Sequence, residues 1–138
     1  MTRFLLDSGI ASDYVNRRHG VFERVRFELS RGNRIGIGIP VLAELVAGIE
    51  RSSSRDRNLQ RLRHALPTLK LWPFDEDAAF EYGRVRAELL GLGRTMQVVD
   101  MMIAAIAFNL GNCTVVSKDS DLPAIPRLTV ENWAEAER

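Results

Sequence analysis

VVDMMIAAIAFNL at residues 98–110, followed by GNCTVVSKDSD at residues 111–121, contains the pattern on which the fold reading turns. Residues 98–110 are apolar on nearly every side, which predicts a helix buried against a sheet and not laid on the surface. Asp100 is the exception. A lone carboxylate in such a helix would cost roughly several kcal/mol in desolvation unless it is protonated, hydrogen-bonded or bound to a cation. Asp100, Ala104, Ala107 and Gly111 share one helical face, and their small neighbours let that face approach the sheet closely. Residues 114–116 are β-branched and read as a strand, and Ser117-Lys118-Asp119-Ser120-Asp121 reads as a polar turn directly after it. Asp119 therefore follows a strand end.

The same arrangement recurs at the start of the chain. Phe4-Leu5-Leu6 is a short apolar run ending at Asp7, and Asp7 or Ser8 can cap the segment that follows, so strand then helix is the simplest reading. Val21–Ser30 predicts a short amphipathic helix closed by Arg31-Gly32-Asn33, and residues 34–39 alternate glycine with isoleucine as a second strand. Pro40 suits the first turn of the next helix, where its missing N–H would be unpaired anyway, and Glu44 falls early in that helix. Arg55–Ala65 predicts a basic helix stopped by Pro67, residues 69–72 a third strand, and residues 75–90 an amphipathic helix ended by Gly91 and Gly93. Residues 128–130 predict an edge strand, and a polar tail starts at about residue 134. No internal repeat is visible.

Alternating strands and helices predict an α/β fold with a mainly parallel sheet covered on both faces, whose site lies outside the carboxyl ends of the strands. At 138 residues the chain fits one domain, residues 1–138. No apolar segment approaches the length needed to cross a bilayer, and the three-residue apolar run before Asp7 is too short for the core of a signal peptide. The single cysteine, Cys113, cannot form an internal disulfide and fits core packing in a reducing cytoplasm.

Nineteen basic and eighteen acidic residues nearly cancel, so net charge alone points to no polyanion. Residues 51–64 carry Arg51, Arg55, Arg57, Arg61 and Arg63 against Asp56 alone, a candidate phosphate-facing ridge, with a solvated helix face as the plainer alternative. His19 and His64 lie in basic segments without the spacing of a metal pair or a triad, and are expected to be exposed. Gly36 and Gly38 precede Pro40 without the Lys-Ser or Lys-Thr of a phosphate loop, which excludes that class of nucleotide site.

Asp7 and Asp119 each follow a strand, and Glu44 and Asp100 each lie near the start of a helix facing the same crevice. One sheet edge can thus hold all four. Taken singly, each has a plainer role as a cap, a turn residue or a solvated charge. Together they form a carboxylate cluster, and oxygen-only ligands favour Mg²⁺ or Mn²⁺ over zinc. Asp121, two residues beyond Asp119, is a second-tier candidate for the same metal.

The segments FLLDSGIAS, IPVLAELVAG, EYGRVRAELLGLGRTM, VVDMMIAAIAFNLG and VVSKDSDLPAIPRLTVENW, in this order, resemble PIN domains, particularly the VapC-type toxins of toxin–antitoxin pairs, over nearly the full length. The resemblance implies a three-layer α/β/α sandwich, a Mg²⁺- or Mn²⁺-dependent endoribonuclease acting on RNA, a homodimer, and a small cognate antitoxin. By position it makes Asp7, Glu44, Asp100 and Asp119 the acidic quartet, with Asp7, Asp100 and Asp119 as metal ligands and Glu44 and Asp121 second-tier. Ser117 then matches the hydroxyl that orients the first acid. The hypothesis for catalysis is water activated by metal held on the quartet, with Asp100 and Glu44 the alternatives for accepting the water's proton. One departure stands out: the family's Asp-Thr/Ser-Asn start is Asp-Ser-Gly here, with Gly9 in place of Asn.

Two alternatives stand beside this reading. Gly9 supports a catalytically weakened PIN-like module that binds RNA or protein. A phosphoacceptor receiver domain would account for Lys118 after a late strand, but the chain lacks the central Asp at a strand end that such a domain requires.

Overall fold

The computed structural model describes residues 1–136, so the last two residues of the expected polar tail lie outside the described residues. Five strands form one all-parallel sheet: β1 (Arg3–Leu6), β2 (Arg34–Gly38), β3 (Lys70–Trp72), β4 (Cys113–Val116) and β5 (Val130–Glu131), in the order β3-β2-β1-β4-β5. Six helices connect them: α1 (Ser8–Val15), α2 (Val21–Ser30), α3 (Ile39–Glu50), α4 (Arg55–Ala65), α5 (Glu76–Gly91) and α6 (Val98–Leu110). The α/β fold with a parallel sheet, expected from the alternation of elements, is the one observed, and the sheet is parallel throughout.

The chain runs from β1 outward through β2 to β3, then returns to the other side of β1 for β4 and β5. This reversal puts a switch point between β1 and β4, where successive connections diverge and leave a crevice beyond the strands' carboxyl ends. The β1–β4 register pairs Leu6 with Val116, so the next residue on each strand, Asp7 and Ser117, enters that crevice side by side.

α6 is buried as its apolar sequence requires: Met101, Ile103, Ala104, Ala105, Ile106 and Ala107 are all in the interior. The core continues through Leu5, Leu6, Ile10, Ile35 and Ile37 of the sheet and α1. The glycine–isoleucine alternation of β2 has a packing cause. A Cβ on Gly36 would lie 2.3 Å from the Lys70 carbonyl oxygen, so β3 can come this near only beside a glycine.

Two element boundaries and the exposure of one side chain differ from expectation. Ile39 is the first residue of α3 and not the last of β2, because Gly38 already has the extended N-cap conformation and Pro40 follows in the first turn. The edge strand is Val130–Glu131 and not residues 128–130: Arg127 turns the chain with φ +67°, and the ladder starts only where Val130 pairs with Val115. His19 is half-buried, its Nδ1 3.2 Å from the Asp13 carboxylate, because its backbone (φ +58°) folds it back onto α1. Cys113 packs against the core, and burial pushes its thiol up to about 12, which fits the expected packing role.

Candidate active site

Asp7 caps α1. Its Oδ1 accepts the Ile10 amide at 2.9 Å, while Ser117 Oγ donates to Oδ2. The carboxylate is only 7% exposed, and burial pushes its pKa up against the opposing pull of these two hydrogen bonds. The negative charge of Asp119 raises it further, and Lys118 offsets part of that rise. Ser117 is itself buried, and its Oγ also accepts the Asp119 amide at 2.9 Å. One hydroxyl thus orients Asp7 and shapes the turn that carries Asp119.

Asp100 lies in the first turn of α6, half-buried, with no side-chain cap ahead of it at Gln97. Its pKa is pushed up to about 6, first by burial and then by the charges of Asp119, Asp7, Glu44 and Asp121. That repulsion shows that all five acids share one electrostatic neighbourhood. Asp100, Asp119 and Asp121 come closest: one carboxylate oxygen from each lies within 4.8 Å of the others. Asp7 and Glu44 lie outside this trio. Sequence spacing alone makes Asp121 a second-tier ligand; in space it stands beside Asp119, paired with Arg94 at 3.3 Å, while its amide donates to Asp119 Oδ1 at 2.9 Å.

Three half-buried or exposed carboxylates, one of them raised by burial and by its neighbours' charges, converge beside the buried Asp7 and form an oxygen-only donor set. Such a set suits a hard divalent cation, which would relieve the repulsion.

Glu44 is exposed on α3 and sits where two surface depressions meet. One, of about 400 Å³, runs between α1, α3 and α4 and is lined by Arg18, Arg57 and Arg61. The basic ridge expected on α4 is thus partly a cleft wall. Arg57 hydrogen-bonds Ser54 and Arg61 hydrogen-bonds Asn16, so neither is neutralised by a carboxylate among the described residues, whereas Arg55 is paired with Glu50 and Asp56. The sequence reading missed the Asp13–Lys118 ion pair (2.9 Å), which joins α1 to the turn after β4. No local pattern signals it, because the two partners lie 105 positions apart in the chain.

The family model described as "PIN domain" matches residues 4–128, a span that includes every acid of the site. The chain belongs to the PIN domain family, in its VapC-type branch. It is 30% identical to the tRNA(fMet)-specific endonuclease VapC of Shigella flexneri, over 97% of this chain and 100% of that one. It is 29% identical to Ribonuclease VapC2 of Rickettsia felis, over 94% of this chain and 97% of that one. Among solved structures, VapBC2 from Rickettsia felis bound to a DNA fragment from its promoter superposes with a TM-score of 0.88 at 28% identity, covering 96% of this chain and 99% of that one. Among the described residues no helix is long and apolar enough to cross a membrane.

Proposed function

We propose that this protein is a Mg²⁺- or Mn²⁺-dependent endoribonuclease and the toxin component of a toxin–antitoxin pair, acting through Asp7, Glu44, Asp100, Asp119 and Asp121. The observation that carries the reading is the convergence of Asp100, Asp119 and Asp121 next to Asp7, at the β1–β4 switch point, with Asp100 raised to about 6 by burial and by its acidic neighbours. The nuclease names of the VapC relatives support it.

Asp100, Asp119 and Asp121 would hold the ion, with Asp7 beside them. When bound, a divalent ion would supply charge stabilisation on the scissile phosphate and a lowered pKa for an attacking water. Asp7 keeps one orientation because Ser117 and the Ile10 amide occupy both of its oxygens. Glu44, exposed and outside the trio, is the carboxylate left to accept a proton. Arg57 and Arg61, without carboxylate partners among the described residues, offer phosphate contacts to a strand leading from Glu44 along the α3–α4 cleft.

For the antitoxin, support comes from the likeness to VapBC and from a groove of about 910 Å³ between α1, α2 and α4, with Tyr14, Phe22 and Leu29 in its walls. The exposed apolar residues Ile39, Leu71 and Val98 support the homodimer.

The test is cleavage of RNA by the purified protein in Mg²⁺ or Mn²⁺, with sequencing of the ends produced. Activity is expected to require the ion and to vanish in Asp7→Asn and Asp100→Asn proteins whose circular dichroism matches the wild type. Undiminished cleavage by a folded Asp7→Asn protein would sink the proposal. RNA binding without cleavage by the wild type would favour the catalytically weakened module instead.

A further inference from the structure

The turn 117–121 brings Asp119 and Asp121 to Asp100, yet these like charges repel one another, so something outside the trio must keep the turn in place. Arg94 ties it on one side through Asp121. On the other side Lys118 reaches across to α1, where its Nζ lies 2.9 Å from Asp13 Oδ2. Asp13 is buried, 4% exposed, and makes no cap, so a charge there is favourable only beside a cationic partner. His19 Nδ1 stands 3.2 Å from the same oxygen.

Lys118 passes over Gly9 on this route. Gly9 and Asp13 are one helical turn apart on the same face of α1. A Cβ on Gly9 would already lie 3.4 Å from Lys118 Cε, so a longer side chain there would stand in the lysine's path. The residue by which this chain departs from its family's Asp-Thr/Ser-Asn start is therefore the one over which Lys118 passes.

We propose that Lys118 is a positioning residue. Its ion pair with Asp13, seated over Gly9, holds the 117–121 turn so that Asp119 and Asp121 face Asp100. The inference rests on the nuclease reading for its consequence in catalysis, but not for its structural content.

Two readouts on Lys118→Met, Asp13→Asn, their double variant, Lys118→Arg and Gly9→Asn test it. The Lys118 side chain is 43% exposed and Asp13 retains His19, so Lys118→Met is expected to fold. Amide exchange in residues 117–121 should accelerate about tenfold in Lys118→Met and in Asp13→Asn, with no larger effect in the double variant, since all three lack the same Lys118–Asp13 pair. Lys118→Arg should stay near wild type, and Gly9→Asn should reproduce Lys118→Met. In RNA cleavage, kcat should fall about tenfold with KM within about twofold, as expected where the catalytic arrangement and not substrate binding is disturbed. Unchanged exchange in the turn of Lys118→Met overturns the inference, as do additive effects in the double variant or a loss confined to KM. The exchange readout decides even if the wild type cleaves no RNA, an outcome that would count against the nuclease reading alone.

Discussion

Ser117 Oγ donates to Asp7 Oδ2 across 110 residues of chain, because the β1–β4 register that pairs Leu6 with Val116 leaves the next two residues facing each other at the sheet edge. The bond has a backbone counterpart in the Asp7 amide, which donates to the Val116 carbonyl at 3.0 Å. Strand pairing, hydroxyl and carboxylate are therefore one unit.

Ser117→Ala removes a donor from a buried carboxylate. Stability should fall by about 1–3 kcal/mol, the cost of an unsatisfied buried group, as read by urea unfolding. Cleavage should fall by at least about tenfold because Asp7 loses its orienting partner. Wild-type stability and rate in this variant would contradict the role assigned to Ser117.

The metal-free protein should lose stability as pH rises from about 4 to 6. In that window folded Asp100 still holds a proton that the unfolded chain, with an Asp near its model value of 3.8, has released, so the folded state binds more protons and stability falls with pH. Asp100→Asn should raise the Tm of the metal-free protein at pH 7, and added Mn²⁺ should raise the wild-type Tm more at pH 7 than at pH 5. Thermal melts at the two pH values check both signs.

Arg57→Ala and Arg61→Ala should weaken binding of single-stranded RNA, and each should lower the slope of log affinity against log salt by about 0.7. A salt titration of RNA binding measures this. Slopes equal to wild type would place the strand elsewhere.

Gly36→Ala should destabilise severely, by more than about 3 kcal/mol, because its Cβ would collide with the Lys70 backbone and separate β2 from β3. Denaturant unfolding, or failure to accumulate folded protein, is the readout. A Gly83→Ala control meets nothing within 4 Å and lies inside α5, where alanine is the better helix former.

The strands and helices were legible where short-range chemistry dominates. The apolar sides of residues 98–110 could be satisfied only by burial, and the limits of α2, α4 and α6 agree with the reading from periodicity, caps and breakers. The edge strand starts two residues later than its sequence suggests because propensity does not separate Leu128 and Thr129 from Val130, and only pairing with β4 distinguishes them. The place of Asp121 is illegible for a similar reason: its spacing from Asp119 allows a turn cap as readily as a shared ion, and proximity to Asp100 comes from the packing of α6 against β4.

What the amino-acid order determined by itself is the set of elements and the acids at their ends, since helix period, β-branching, turn residues and the family's motifs are all local in sequence. What only the tertiary structure decided is which of those acids meet. Strand order and the Leu6–Val116 register bring Ser117 to Asp7, the turn after β4 brings Asp119 and Asp121 to Asp100, and the empty face above Gly9 lets Lys118 reach Asp13. Each of these depends on contacts between residues roughly 20 to more than 100 positions apart, whose energies exist only once the chain has closed the intervening loops.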